Sequence, residues 1–228
     1  MKFAIVVSIR GRSLAEMVTK ARKVADDVMF EFRLDSISEE YSKDIGNARL
    51  PESMSRRSIL TYRVPNEGGL SRAYSVDRLI QLIRSCSTEP PAFMDVESSS
   101  IDDNLVAAEL KRYSGRLIIS SHLVDGGTSV EGLFKHWLRW KGTAHYIKVI
   151  NMPATLHEAL LSLELYGLVD PLRLISFSAG KRWSFTRFTS VFLGSPLFYS
   201  CLPGEPLADG QPTVQEAVKF KKAIEDGA

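Results

Sequence analysis

Short apolar runs alternate with amphipathic stretches along the whole chain. Eight runs are rich in β-branched and aromatic residues and have strand length: 3–9, 28–35, 58–64, 91–97, 116–122, 145–150, 173–179 and 195–202. Between them, stretches such as 13–27, 75–86, 101–115, 154–167 and 213–227 carry helical spacing. Ser13 and Ser75 stand where an N-cap would, Pro153 lies near a helix start, and Gly115 and Gly167 follow helix ends. This repeat predicts an α/β fold, a (β/α)8 TIM barrel occupying residues 1–228 as a single domain near the compact end of its size range. A doubly wound sheet is the alternative, but no Gly-x-Gly-x-x-Gly follows the first strand.

The second run, VMFEFRLD, breaks its own apolar pattern. A period of two puts Glu31, Arg33 and Asp35 on one face and Phe32 and Leu34 on the other. Buried charge is costly, so the three groups either pair internally or wait for a polar ligand. The same feature returns at later strand ends: Arg63 with Glu67 in the loop beyond, Asp95 and Glu97, Ser120 and His122, Lys148, then Ser176 and Ser178. In a barrel, inward side chains at these ends build the active site. A structural ion-pair ladder accounts equally for Glu31, Arg33 and Asp35. Asp95 and Glu97 also read as helix-dipole caps or as partners of Arg33 and Arg63, and His122 by itself reads as a loop-edge histidine. Lys148 is harder to assign to structure. Desolvation disfavours an ammonium between β-branched neighbours and leaves a fraction as nucleophilic amine. His136, His145 and His157 read as surface or packing residues. Arg187 and Gln211, in late segments rich in polar donors, together suit a carboxylate-bearing, hydroxyl-rich small molecule, while Arg187 taken alone reads as ordinary loop chemistry.

Bulk properties narrow the classes. The 228 residues are 44% apolar and 25% charged, enough for one large domain or two small ones. A net charge of +2 without a long basic run disfavours a nucleic-acid surface. Cys86 and Cys201 have no metal-ligand or redox spacing and read as reduced packing thiols, which points to a cytoplasmic protein. The N-terminal apolar run is too short for a leader or a membrane span.

The ordered series EFRLD, TYRVPNEGG, FMDVE, IISSH, YIKV, FTRF and ADGQ resembles the type I 3-dehydroquinate dehydratases, Schiff-base lyases of the shikimate pathway leading to chorismate and the aromatic amino acids. The resemblance spans essentially the whole chain and implies a cytoplasmic, homodimeric barrel acting on 3-dehydroquinate with no metal and no organic cofactor. It implies Lys148 as the imine-forming amine, His122 as general acid/base, and Glu67 as the acid that orients and tunes that histidine. Glu31, Arg33, Arg63 and Ser8 fall in the substrate-binding set, with Arg187 as the carboxylate clamp and Gln211 as a hydroxyl-binding amide. Asp35, Asp95 and Glu97 fall in supporting positions. Two departures stand out: Leu123 and Val124 follow the histidine, and Leu207 occupies a closing-loop position where the family commonly has serine. The competing readings are another Schiff-base barrel lyase of aldolase type and a non-catalytic barrel binding an anionic polyol metabolite.

Overall fold

The computed structural model describes residues 2–24, 27–71, 74–123 and 129–227. In chain order the elements are β1 (Ala4–Ile9), α1 (Leu14–Ala21), β2 (Met29–Arg33), α2 (Glu52–Ser55), β3 (Ser58–Thr61), α3 (Val76–Ser85), β4 (Phe93–Glu97), α4 (Ser98–Ile101) and α5 (Asn104–Arg112). They continue as β5 (Leu117–Leu123), α6 (Val130–Trp140), β6 (Tyr146–Asn151), α7 (Leu156–Glu164), β7 (Leu174–Ser178), α8 (Phe185–Phe192), β8 (Leu197–Cys201) and α9 (Val214–Asp226). All eight expected strands are present. The chain divides into two compact units, one of residues 9–119 and the other of residues 1–8 with 120–228.

In the first unit β2, β3 and β4 run parallel, with Arg33 opposite Thr61 and Thr61 opposite Asp95. That register lines the polar residues up at one level near the C-terminal strand ends. The alternate residues are apolar, and Phe30, Phe32, Leu60 and Met94 are buried on the other face. The Ser13 and Ser75 side chains accept from the Glu16 and Arg78 amides, so both predicted caps form. β2 and β3 stop earlier than their apolar runs suggest, because Leu34–Ser36 and Pro65–Glu67 wind into 3-10 turns. After β2 the polar Glu39–Asn47 segment also takes 3-10 form and packs on α3, where Gly46 lies against Gln81.

The turn carrying Glu67 depends on two glycines. Gly68 has φ +84°, in the left-handed region, with open space around it. Gly69 donates to the Val64 carbonyl at 2.9 Å, and a Cβ there would come within 2.8 Å of Val64 backbone.

In the second unit β1 pairs parallel with β8, placing Ser8 opposite Cys201, and β6 pairs parallel with β7, placing Lys148 opposite Ile175. α7 and α9 each open with a reciprocal capping box, Thr155 with Glu158 and Thr213 with Glu216. One expectation is corrected here. Ser176 and Ser178 do not share the face of Lys148: the Ser178 hydroxyl donates to Asn151 Oδ1 at 2.5 Å and to the α7 carbonyl of Ala159 at 2.9 Å. Both serines therefore lie behind the strand, where Tyr166 also donates to the Ser176 carbonyl and accepts from its amide. Behind β5, Ser121 Oγ lies 2.9 Å from His136 Nε2 on α6.

Two outcomes follow for stability. Gly69→Ala forces backbone against backbone and is expected to cost about 1–3 kcal/mol, whereas Gly68→Ala costs about 1 kcal/mol through φ alone; urea midpoints check the order. Burial, with Arg139 adding to it, lowers the His136 imidazole to about 4. Below pH 6.5 the unfolded chain takes up a proton that the folded one refuses, so stability falls from pH 6.5 down to about 4, by roughly 2–3 kcal/mol in all. Unfolding at pH 7 and 4.5 measures this loss, and His136→Gln is expected to shrink it.

Candidate active site

In the first unit every charged group of the strand-end set is buried except Glu67, which is partly exposed. Arg33 grips Asp35 through two parallel bonds, Nε to Oδ1 and Nη2 to Oδ2, each 2.8 Å. Burial by itself would lower the Arg33 guanidinium, but the Asp35 carboxylate overrides it and holds the group above its ordinary value. Asp35 also accepts from the Leu70 amide at 3.0 Å, which ties the loop after β3 to β2. Arg63 Nε donates to Glu97 Oε1 at 2.8 Å. Glu31 accepts from the Thr61 hydroxyl at 3.1 Å, and Glu67 from Ser99 Oγ at 2.5 Å. Asp95 is buried beside them in register with Thr61. Glu31, Arg33, Arg63, Asp35, Asp95 and Glu97 thus form a wall in which the arginines are already neutralised and oriented.

The second unit is built differently. Lys148 is buried in mid-strand, and its Nζ sits 4.3 Å from the centroid of the Tyr199 ring on β8. His122 is half-buried at the end of β5, on the same face as Ser120. Arg187, in the first turn of α8, is 5% exposed and lies 4.1 Å above the Phe177 ring. Among the described residues no carboxylate pairs with it, and its Nε is buried without an acceptor. Burial pushes this guanidinium down to about 10. Burying a cation without compensation is costly, and a negative charge beside it would offset that cost. Gln211 is held at both ends: its Oε1 accepts from the Leu207 amide at 2.9 Å, and its Nε2 donates to the Ser200 carbonyl at 3.0 Å and Ser8 Oγ at 3.3 Å. Residue 207 thus supports Gln211 through its backbone. The departure to leucine leaves that contact intact. Gly210, with φ +72°, packs against the Gly180 carbonyl, so the closing loop rests on the turn before α8. Val124 lies outside the described residues.

Tyr199 escaped the sequence reading. In LFYSC an aromatic residue looks like core, and only the β1–β8 register combined with the position of Lys148 shows which face it takes.

The molecule resembles proteins of known class. The solved type I 3-dehydroquinate dehydratase from Clostridium difficile, determined with covalently modified comenic acid, superposes with a TM-score of 0.81 at 20% identity, covering 100% of this chain and 94% of that one. The 3-dehydroquinate dehydratase of Geobacillus kaustophilus gives 0.75 at 19% identity over 99% and 92%. These likenesses define the class, a (β/α)8 barrel, as the strand-helix repeat predicts. In sequence, the 3-dehydroquinate dehydratase of Pyrococcus abyssi is 26% identical over 98% of this chain and 99% of its own length. That of Thermococcus gammatolerans is 28% identical over 90% and 92%. The family model for type I 3-dehydroquinase matches residues 5–227. The chain belongs to the type I 3-dehydroquinase family and is accordingly a hydro-lyase, a 3-dehydroquinate dehydratase of the shikimate pathway.

The contrast between compensated and uncompensated arginines is testable by chemical denaturation of the ligand-free protein. Asp35→Asn leaves Arg33 buried and poorly paired and is expected to cost about 3–5 kcal/mol. Arg187→Met removes a cation without a carboxylate partner among the described residues and is expected to leave stability unchanged or raise it by about 1–2 kcal/mol.

Proposed function

We propose that the dehydration runs through an imine on Lys148, with His122 moving the protons. The observation that carries this reading is a lysine buried in mid-strand with its ammonium on an aromatic face. The Lys148 amine adds to the C3 ketone, and loss of water gives a protonated imine. Its positive nitrogen is an electron sink, so His122 can remove the C2 proton, a general-base role worth roughly 10²–10⁴-fold. The electron pair left at C2 moves into the imine to give an enamine. Return of that pair expels the C1 hydroxyl, which leaves as water with the proton held by His122. Hydrolysis of the conjugated imine frees the enone and restores the amine. In this reading Glu67 is the acid that orients His122, and Arg187 is the counter-charge for the substrate carboxylate. Glu31, Arg33 and Arg63 meet the ring hydroxyls, backed by Asp35, Asp95 and Glu97, with Gln211 and Ser8 contributing from the closing loop and β1.

The Tyr199 ring has a further part in the same step. A face that attracts the ammonium also attracts the iminium, which keeps the sink protonated while the C2 proton leaves. The whole chain acts as one catalytic domain, and as a homodimer. Both cysteines are free and buried, which suits the cytoplasm.

Borohydride reduction of the protein mixed with 3-dehydroquinate, followed by peptide mapping, is expected to place a reduced adduct on Lys148. Lys148→Ala is expected to end turnover while the fold survives; normal turnover in that variant would sink the imine mechanism. Tyr199→Leu is expected to lower kcat about 5–30-fold, the kinetic equivalent of about 1–2 kcal/mol, with Tyr199→Phe near wild type. Equal losses in the two variants would tie the effect to the hydroxyl and not the ring.

A further inference from the structure

β4 ends in Glu97, and three serines follow it at once, Ser98, Ser99 and Ser100. Serine competes for backbone hydrogen bonds and is a weak helix former, so helix propensity does not account for such a run. The three make up most of the short helix α4, entered from Glu97, whose side chain is bonded to Arg63 and does not cap the helix. Successive helical residues point about 100° apart, so neighbouring serines reach in different directions. Ser99 Oγ donates to Glu67 Oε1 at 2.5 Å, and Ser100 Oγ lies 2.9 Å from the Tyr74 hydroxyl. Both partners belong to the loop after β3. Between them the Leu70 amide donates to Asp35, so the loop is tied at three points.

The two serine ties differ in kind. Ser100 is buried, and Tyr74 stacks on the buried Tyr62 ring with centroids 4.9 Å apart, so packing anchors this end of the loop. Glu67 is partly exposed, and its side chain has three rotatable bonds for the turn beneath it to leave unset. Its carboxylate also lies within 4.8 Å of the Glu97 carboxylate, and two such groups repel. Ser99 is exposed, so water replaces its hydroxyl as a donor at little cost to the fold. Water does not replace its direction. α4 starts from Glu97, which is buried and bonded to buried Arg63, so the Ser99 hydroxyl is presented from a fixed point.

We propose that Ser99 is a positioning residue for the dehydration: its hydroxyl fixes the Glu67 carboxylate in the orientation from which Glu67 directs His122. The proposal rests on the reading of Glu67 as the acid that orients His122 and names what holds that acid. Ser99 touches neither the substrate nor the reacting atoms in this assignment, so its effect falls on kcat and not on KM.

Steady-state kinetics of the full chain with 3-dehydroquinate test it. Ser99→Ala is expected to lower kcat about 5–20-fold with KM within about twofold of wild type and the urea midpoint unchanged. Ser99→Thr keeps the hydroxyl at an exposed position and is expected to recover most of the lost rate. In a Glu67→Gln background, Ser99→Ala is expected to cost nothing further. Tyr74→Phe, which cuts the other tie, is expected to lower the urea midpoint and leave kcat near wild type. A wild-type kcat in Ser99→Ala overturns the proposal, as does the same loss in both backgrounds or an equal loss in Ser99→Thr. Equal kcat losses in Ser99→Ala and Tyr74→Phe overturn it too, by tying the effect to the loop as a whole. A wild-type kcat in Glu67→Gln overturns the reading of Glu67 itself, a failure that the other variants do not produce.

Discussion

Taking charge out of water is the constraint on which the rest of this molecule depends. An isolated ion moved into a dry interior costs several kcal/mol even after relaxation, so each buried charge must be answered by something nearby. Residues 9–119 answer with carboxylates: Asp35 for Arg33, Glu97 for Arg63, both at 2.8 Å. The other unit answers with aromatic rings, Tyr199 under Lys148 and Phe177 under Arg187. A carboxylate neutralises a cation and fixes it; a ring attracts it without neutralising it. The first arrangement makes a rigid, electrically quiet wall. The second sets Lys148 and Arg187 against ring faces, and among the described residues no carboxylate pairs with Arg187.

Period-two alternation made the strands legible, together with the charged faces of VMFEFRLD and FMDVE, because polar residues interrupting an apolar run have few structural explanations. What misled was polarity on a strand buried from both sides. LISFS alternates serine with apolar residues, yet both faces are covered, so the alternation cannot say which face is which. Small hydroxyls satisfied by Asn151 and Ala159 are as comfortable behind the strand as a ligand-binding pair would be in front of it. Tyr199 was hidden for the converse reason, since an aromatic on a strand reads as packing until its neighbour is known to be a cation. Strand ends were overrun at Arg33 and Thr61 because tight 3-10 turns keep the polar and apolar residues that follow on an apparently continuous pattern.

The misassigned serine proves more useful to the site from behind the strand. Ser178 donates its amide to the Thr186 hydroxyl at 3.0 Å, and Thr186 donates to the Trp183 carbonyl at 2.7 Å. These bonds tie the end of β7 to the first turn of α8, one residue before Arg187. The guanidinium has no carboxylate to orient it among the described residues, so its position must come from the backbone that carries it. Ser178 also bonds Asn151 at the end of β6, three residues beyond Lys148. The same hydroxyl network therefore fixes the strand that carries the amine and the helix that carries the clamp. Neutral hydrogen bonds behind the strand thus hold the backbone that carries both groups, and they fix geometry without adding charge.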